Sequence, residues 1–302
     1  MPGTAGRAGR ARRVRPDRSG TADARSGGES PSITSRGRRH GLLAGIAACA
    51  FAAAASAFAA VTEYEVELTP ELRRLAGHGE LSPATRARVM VVIPDGLDAA
   101  ADPPILIVNA TSDPGYNSSR RLLAEYAAST VAAGWIALAA DPVPPVAVGQ
   151  DDTTLRFVLD FAALSALRLQ WARAARAALA FGGFSGGAKC SGWLAAAFAG
   201  EGRRVIGVYL AGINRDTIVE AARQFHVLDE NFRRTPIFLQ SGEKDEIATP
   251  GDHRGVYEEL KRAGFRHLRI EHVAGAHQVD AGPLRGALDW FRELARPATP
   301  GR

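Results

Sequence analysis

The sequence predicts an α/β fold: a doubly wound, mostly parallel sheet with helices on both faces. Three observations predict it. Short apolar segments alternate with helical patterns of about 10–20 residues from residue 88 to the C-terminus, the pattern of strands buried on both faces and crossed over by helices. Turn signals close the strands, such as Pro94-Asp95-Gly96 and Asp141-Pro142. Finally, no internal repeat and no second domain break the series.

The elements follow in order. Residues 88–93 (RVMVVI) are β-branched and strand-like, and 105–108 (ILIV) form a short continuous apolar run. No helix separates these early strands, so this edge of the sheet is expected to be antiparallel. Residues 119–133 show helical spacing of Leu122, Leu123, Tyr126 and Val131. Residues 135–140 read as a strand, and 155–177 as a long helix with Phe157, Phe161, Leu164 and Leu167 on one side. Strands are then expected at 178–184, 205–210, 236–240 and 267–273. Helices are expected at 186–199, 217–225, 252–263 and 283–294. No segment is large enough for a separate cap domain. Residues 113–118 and 212–234 are the expected pocket-shaping insertions.

The N-terminus reads as an address. Residues 1–59 hold ten arginines and three acids, leaving 27 basic and 29 acidic side chains in the rest of the chain. The overall charge of +5 is therefore a property of the tail, and a nucleic-acid face on the folded part is not supported. Arg36, Arg38 and Arg39 precede an apolar run at 41–60 that ends in Ala57-Phe58-Ala59. A positive region, an apolar region and a small-residue A-x-A site make a secretory signal, which places the protein in the periplasm or outside the cell. The division expected is 1–59 for a basic extension plus signal, and 60–302 for the folded domain. A membrane is a partner only if the apolar run is retained, or is lipidated at Cys49 after Ile46-Ala47-Ala48. Loss of Cys49 with the signal would leave Cys190 alone, which excludes an internal disulfide by counting. No Cys/His cluster has metal-ligand spacing, so no metal site is predicted.

The chemistry centres on Gly183-Phe184-Ser185-Gly186-Gly187, a G-x-S-x-G pattern at a strand-to-helix junction. A serine there sits in a tight turn, its hydroxyl raised over the sheet edge and faced by a helix N-terminus. Dinucleotide and P-loop readings fail at this segment. Phe184 stands where a second glycine is needed, and Lys189 lies between Ala188 and Cys190. Two further loops follow strands. One is Ser241-Gly242-Glu243-Lys244-Asp245-Glu246-Ile247, with Pro250 beyond. The other is Val273-Ala274-Gly275-Ala276-His277.

These segments together resemble the nucleophile elbow, acid loop and histidine loop of the α/β-hydrolase superfamily, in the order Ser, Asp or Glu, His. The likeness covers most of residues 88–295 and is similar to carboxylesterase and dienelactone-hydrolase-like members. It implies Ser185 as nucleophile, Asp245 as the acid (with Glu243 and Glu246 as fallbacks) and His277 as the base. It implies an oxyanion hole from the Gly186 N–H and a second N–H after the strand at 105–108, from Ala110 or Thr111, with the Tyr116 hydroxyl as another donor. Family members often carry His-Gly there, whereas this chain has Asn109-Ala110. The resemblance implies no cofactor and a small-molecule carboxylic ester as substrate. Two alternatives remain open: a peptidase or amidase on the same triad, and a non-catalytic envelope binding protein of the same fold.

Overall fold

Eight strands in the order β1-β2-β4-β3-β5-β6-β7-β8 make one sheet in the computed structural model, which describes residues 59–97, 102–110 and 117–296. Strand β1 (Ala59–Glu67) pairs antiparallel with β2 (Arg86–Pro94), and β2 pairs antiparallel with β4 (Ile136–Val143). The other pairings are parallel, through β3 (Ile105–Asn109), β5 (Leu179–Phe184), β6 (Val205–Ala211), β7 (Ile237–Gly242) and β8 (Leu268–Val273). The early strands β2 and β3, which no helix separates, do run in opposite directions, but β4 stands between them, so the antiparallel pairs are β1–β2 and β2–β4.

Side chains alternate between the two faces, as the pleat requires. Ile105 and Ile107 of β3 enter one core, while Leu106 and Val108 enter the other. The first face is covered by α1 (Pro70–Ala76), α3 (Thr153–Gln170), α4 (Gly186–Gly200), α5 (Ile218–Gln224) and α6 (Pro250–Arg262). The second is covered by α2 (Ser119–Ala132) and α7 (Leu284–Ala295), whose Leu284, Ala287, Leu288 and Phe291 form a buried stripe at helical spacing. No large cap domain stands over the sheet among the described residues. Among them, too, no helix is long and apolar enough to cross a membrane.

Several boundaries differ from the sequence reading for local reasons. Strand β1 and helix α1 were not anticipated. Helix α3 stops at Gln170 rather than 177, because Trp171 turns extended (φ −143°, ψ 96°) and packs against the core. Helix α6 starts two residues early, at Pro250, since Thr249 and Asp252 form a reciprocal capping box with proline at the first helical position. The A-x-A site at 57–59 lies outside the described residues except for Ala59, which opens β1.

This topology decides where a ligand can sit. From β3 the chain goes through α2 to β4 on one side; from β4 it goes through α3 to β5 on the other. The connections therefore part between β3 and β5, leaving a crevice beyond their C-terminal ends. There the pair Asn109 and Gly183 ends the β3–β5 ladder, one residue before Ala110 and two before Ser185.

Candidate active site

Ser185 stands between β5 and α4 with φ 55° and ψ −119°, a conformation that side-chain-bearing residues rarely adopt. Its N–H donates to the Ala211 carbonyl at 2.8 Å, and its carbonyl accepts from Ala188 and Lys189 as α4 begins. The strain is held by packing. A Cβ on Gly187 would lie 2.1 Å from the Asn109 carbonyl oxygen, and one on Gly183 would lie 2.4 Å from the Gly187 backbone. The glycines of the motif thus let the end of β3, the end of β5 and the first turn of α4 touch. Gly187→Ala is expected to lower stability by about 1–3 kcal/mol, because the colliding atom is backbone and cannot swing aside. Urea unfolding checks this, and wild-type stability in that variant would show the elbow to be looser than the packing implies.

Asp245 follows β7 and His277 follows β8, and backbone bonds lace their loops together. Glu243 N–H donates to Val273 O at 2.9 Å, and Lys244 N–H donates to Gly275 O at 2.8 Å. The Asp245 carboxylate is buried. Its Oδ1 accepts from the N–H groups of Ile247 (2.9 Å) and Ala248 (2.8 Å), and its Oδ2 lies 2.7 Å from His277 Nδ1. Burial by itself would raise the Asp245 pKa, but the Ala248, His277 and Ile247 bonds outweigh it and hold the carboxyl below its ordinary value. A carboxylate can only accept, so Nδ1 carries the proton and a neutral His277 keeps its lone pair on Nε2. The imidazole lies against Phe184, the residue before Ser185, with ring centroids 4.6 Å apart and planes tilted by 41°. The fallback acids Glu243 and Glu246 are exposed and make no described bond to His277.

Other sequence candidates sort as follows. Gly186 is the first residue of α4, so its N–H has no acceptor within the helix, and the residue lines the cleft beside Ser185. Ala110 does not fit the donor role: its N–H is taken by the Ser119 hydroxyl at 3.1 Å. Thr111 and Tyr116 lie outside the described residues, as do 113–116 of one expected insertion. The other insertion, 212–234, does reach the site. Arg215, Thr217 and Glu220 wall a cleft of about 550 Å³ that also takes in Ser185, Gly186 and Trp193. A second cavity of about 510 Å³ lies near Arg204 and Pro236, and none of the candidate site residues lines it.

Cys190 also borders the Ser185 cleft, but burial pushes its thiol well above the ordinary range, and it is no competing nucleophile. His253 is fully buried, its Nε2 accepting from Ile213 N–H (3.2 Å) and its Nδ1 donating to Thr249 O (3.0 Å), which ties the loop after β6 to the acid loop. Among the described residues no group of three or more His, Cys, Asp or Glu side chains is placed to hold a metal ion.

Sequence reasoning missed two residues that border this region, Ser119 and Arg156. Nothing in the sequence marks them, because an arginine in the first turns of a helix ordinarily reads as a solvated charge.

No family model and no curated protein matches the sequence. Solved structures do. A lid-less α/β serine hydrolase from Xanthomonas campestris superposes with a TM-score of 0.53 and 19% identity, over 80% of this chain and 97% of that one. A fungal esterase from Rhizomucor miehei gives 0.52 and 13%, over 78% and 83%. A cold-adapted esterase from an Arctic intertidal metagenomic library gives 0.52 and 14%, over 79% and 95%. At such identities the likeness is one of fold, and the fold is that of the α/β-hydrolases.

Proposed function

We propose that this α/β-hydrolase-fold protein is an exported serine hydrolase that cleaves carboxylic esters through an acyl-enzyme on Ser185. The observation that carries the reading is the 2.7 Å bond between Asp245 Oδ2 and His277 Nδ1, formed by loops laced together beside the Ser185 elbow. In the reaction Nε2 of His277 takes the Ser185 proton as Oγ attacks the ester carbonyl. The Gly186 N–H and the α4 N-terminus stabilise the negative charge that develops on the carbonyl oxygen. His277 then returns the proton to the departing alcohol, and water resolves the acyl-enzyme by the same steps in reverse. Asp245 stays ionised throughout and fixes the imidazole tautomer.

An ester rather than an amide is the reading supported by structural neighbours described as esterases. Export is supported by the arginines before the apolar run at 41–60.

The test is labelling of the purified protein with a fluorophosphonate, followed by peptide mapping and a panel of p-nitrophenyl esters. An adduct on Ser185, lost in His277→Ala, is the expected result. Folded protein that takes no label would instead indicate a binding protein that shares the fold without its chemistry.

A further inference from the structure

We propose that His253 is a positioning residue: it clasps the loop that abuts the His277 imidazole to the loop that carries Asp245, and so holds that imidazole at the angle that proton transfer from Ser185 needs. The inference rests on the hydrolase reading above.

Three consecutive residues, beginning with the last of β6, meet three parts of the candidate site. The Ala211 carbonyl accepts the Ser185 N–H at 2.8 Å. Gly212 (φ 62°) lies against the base: a Cβ there would stand 3.1 Å from His277 Cε1 and 2.9 Å from Phe184 Cε2. Ile213, fully buried, donates its N–H to His253 Nε2 at 3.2 Å. The Gly212 N–H is itself tied to Gln240 O on β7 at 3.1 Å. The backbone beside the imidazole is therefore fixed on one side by the sheet and on the other by His253.

The other nitrogen of His253 reaches the acid loop. Nδ1 donates to Thr249 O at 3.0 Å, an oxygen that also accepts the His253 N–H as α6 begins. Thr249 directly follows Ile247 and Ala248, whose N–H groups hold Asp245 Oδ1 at 2.9 and 2.8 Å. One buried ring thus bridges the segment against the base and the segment that grips the acid. One of its nitrogens donates and the other accepts, which only the neutral imidazole can do. Burial favours that form, holding the pKa below 6.5 against the Thr249 bond and the charges of Asp245 and Asp252. A second tie joins the same two loops, from Asn214 Nδ2 to Ile247 O, but at 3.4 Å and exposed to solvent it is the weaker one. A base that must meet a hydroxyl within a fraction of an ångström is held better by a buried, doubly bonded clasp than by a solvated contact.

The experiment compares the full-length wild type with His253→Gln, His253→Asn and His253→Leu. It measures kcat and KM on p-nitrophenyl acetate, the rate at which a fluorophosphonate labels Ser185, and thermal unfolding. In His253→Gln the longer side chain brings an amide oxygen to the place of Nε2 and keeps the bond to Ile213. In His253→Asn the shorter amide reaches only Thr249 O, and His253→Leu loses both bonds. In His253→Asn and His253→Leu, kcat and the labelling rate are each expected to fall about ten-fold or more, with KM within about two-fold of wild type. His253→Gln is expected to stay within about three-fold of wild type on both rates. Wild-type rates in folded His253→Asn would overturn the proposal, even if thermal stability were lower, because the clasp would then be purely structural. A rise in KM alone would move the effect to substrate binding and overturn it as well. Losses in His253→Gln equal to those in His253→Asn would show that the Ile213 bond is not what matters, with the same consequence. If only His253→Leu fails to fold, the comparison of His253→Asn with His253→Gln decides; if His253→Asn fails too, the residue serves the fold alone and the proposal falls. Failure of the underlying hydrolase reading is distinguishable, because it would show first in wild type, as folded protein with no Ser185 label.

Discussion

Ser185→Ala is expected to reduce ester turnover by about four orders of magnitude or more, the scale seen when the nucleophile of a serine triad is removed. The fold should survive. The Ser185 backbone makes its bonds through Ala211 O, Ala188 N–H and Lys189 N–H, and none of these needs the hydroxyl. The substitution leaves the strained backbone as it was, since alanine keeps a Cβ at φ 55°. Ser185→Gly removes that Cβ and is expected to be more stable than Ser185→Ala by about 1 kcal/mol, while being equally inactive. Urea unfolding of the two variants beside a p-nitrophenyl acetate assay separates the two effects. Turnover within ten-fold of wild type in Ser185→Ala would assign the nucleophile elsewhere, and equal stability of the two variants would mean that the elbow stores no strain at Ser185.

Much of the candidate site could be read along the chain because its residues sit at element ends that leave local marks. Glycines around Ser185 announce a turn where three backbones touch. Gly242 and Gly275 likewise mark the loops that bring Asp245 to His277. Those loops are adjacent because β7 pairs with β8 directly, so the order of strands brings together residues 32 positions apart in sequence. The opposed directions of β2 and β3 were legible from the missing crossover helix, but the placing of β4 between them was not.

What stayed hidden depends on packing. Strand β1 carries an alternating Thr62-Glu63-Tyr64-Glu65-Val66-Glu67, but it follows directly on the apolar run at 41–60 and buries only Tyr64 and Val66, in part. Helix α1 announces itself by Thr69-Pro70, a cap followed by proline, but spans less than two turns before Gly77. Arg156 looks like any helix-surface charge until β4, α2 and Asp151 close around it. The donor role suggested for Ala110 failed for a similar reason: one hydroxyl, nine residues later in the chain, reaches its N–H.

The second large effect concerns stability rather than turnover. Asp160, on α3, is 1% exposed, its Oδ2 has no hydrogen-bond partner, and burial lifts its pKa from 3.8 to about 7 against the pull of the neighbouring Asn109 amide and Arg156. In the unfolded chain the same carboxyl ionises near its ordinary value. Between these two values the folded state binds the extra proton, so stability falls as pH rises from about 4 to about 7 and stays lower above that. His253 acts in the opposite sense. Burial lowers its pKa from 6.5, and the stability of its neutral form is present above that value and lost as pH falls below it. The two contributions partly mask each other in wild type, and a difference between variants isolates one of them. Asp160→Asn keeps the shape and removes the titration. It is expected to be more stable than wild type at pH 8, by up to about 4 kcal/mol, with the advantage shrinking steadily toward pH 4. Urea unfolding of both proteins at pH 5, 6.5 and 8 measures the gap. A gap that does not change with pH would mean that Asp160 ionises alike in the folded and unfolded chains. A gap that narrows on acidification would instead show a carboxyl kept beneath the candidate site at a cost in stability, beside the Asn109 strand end on which the Ser185 turn packs.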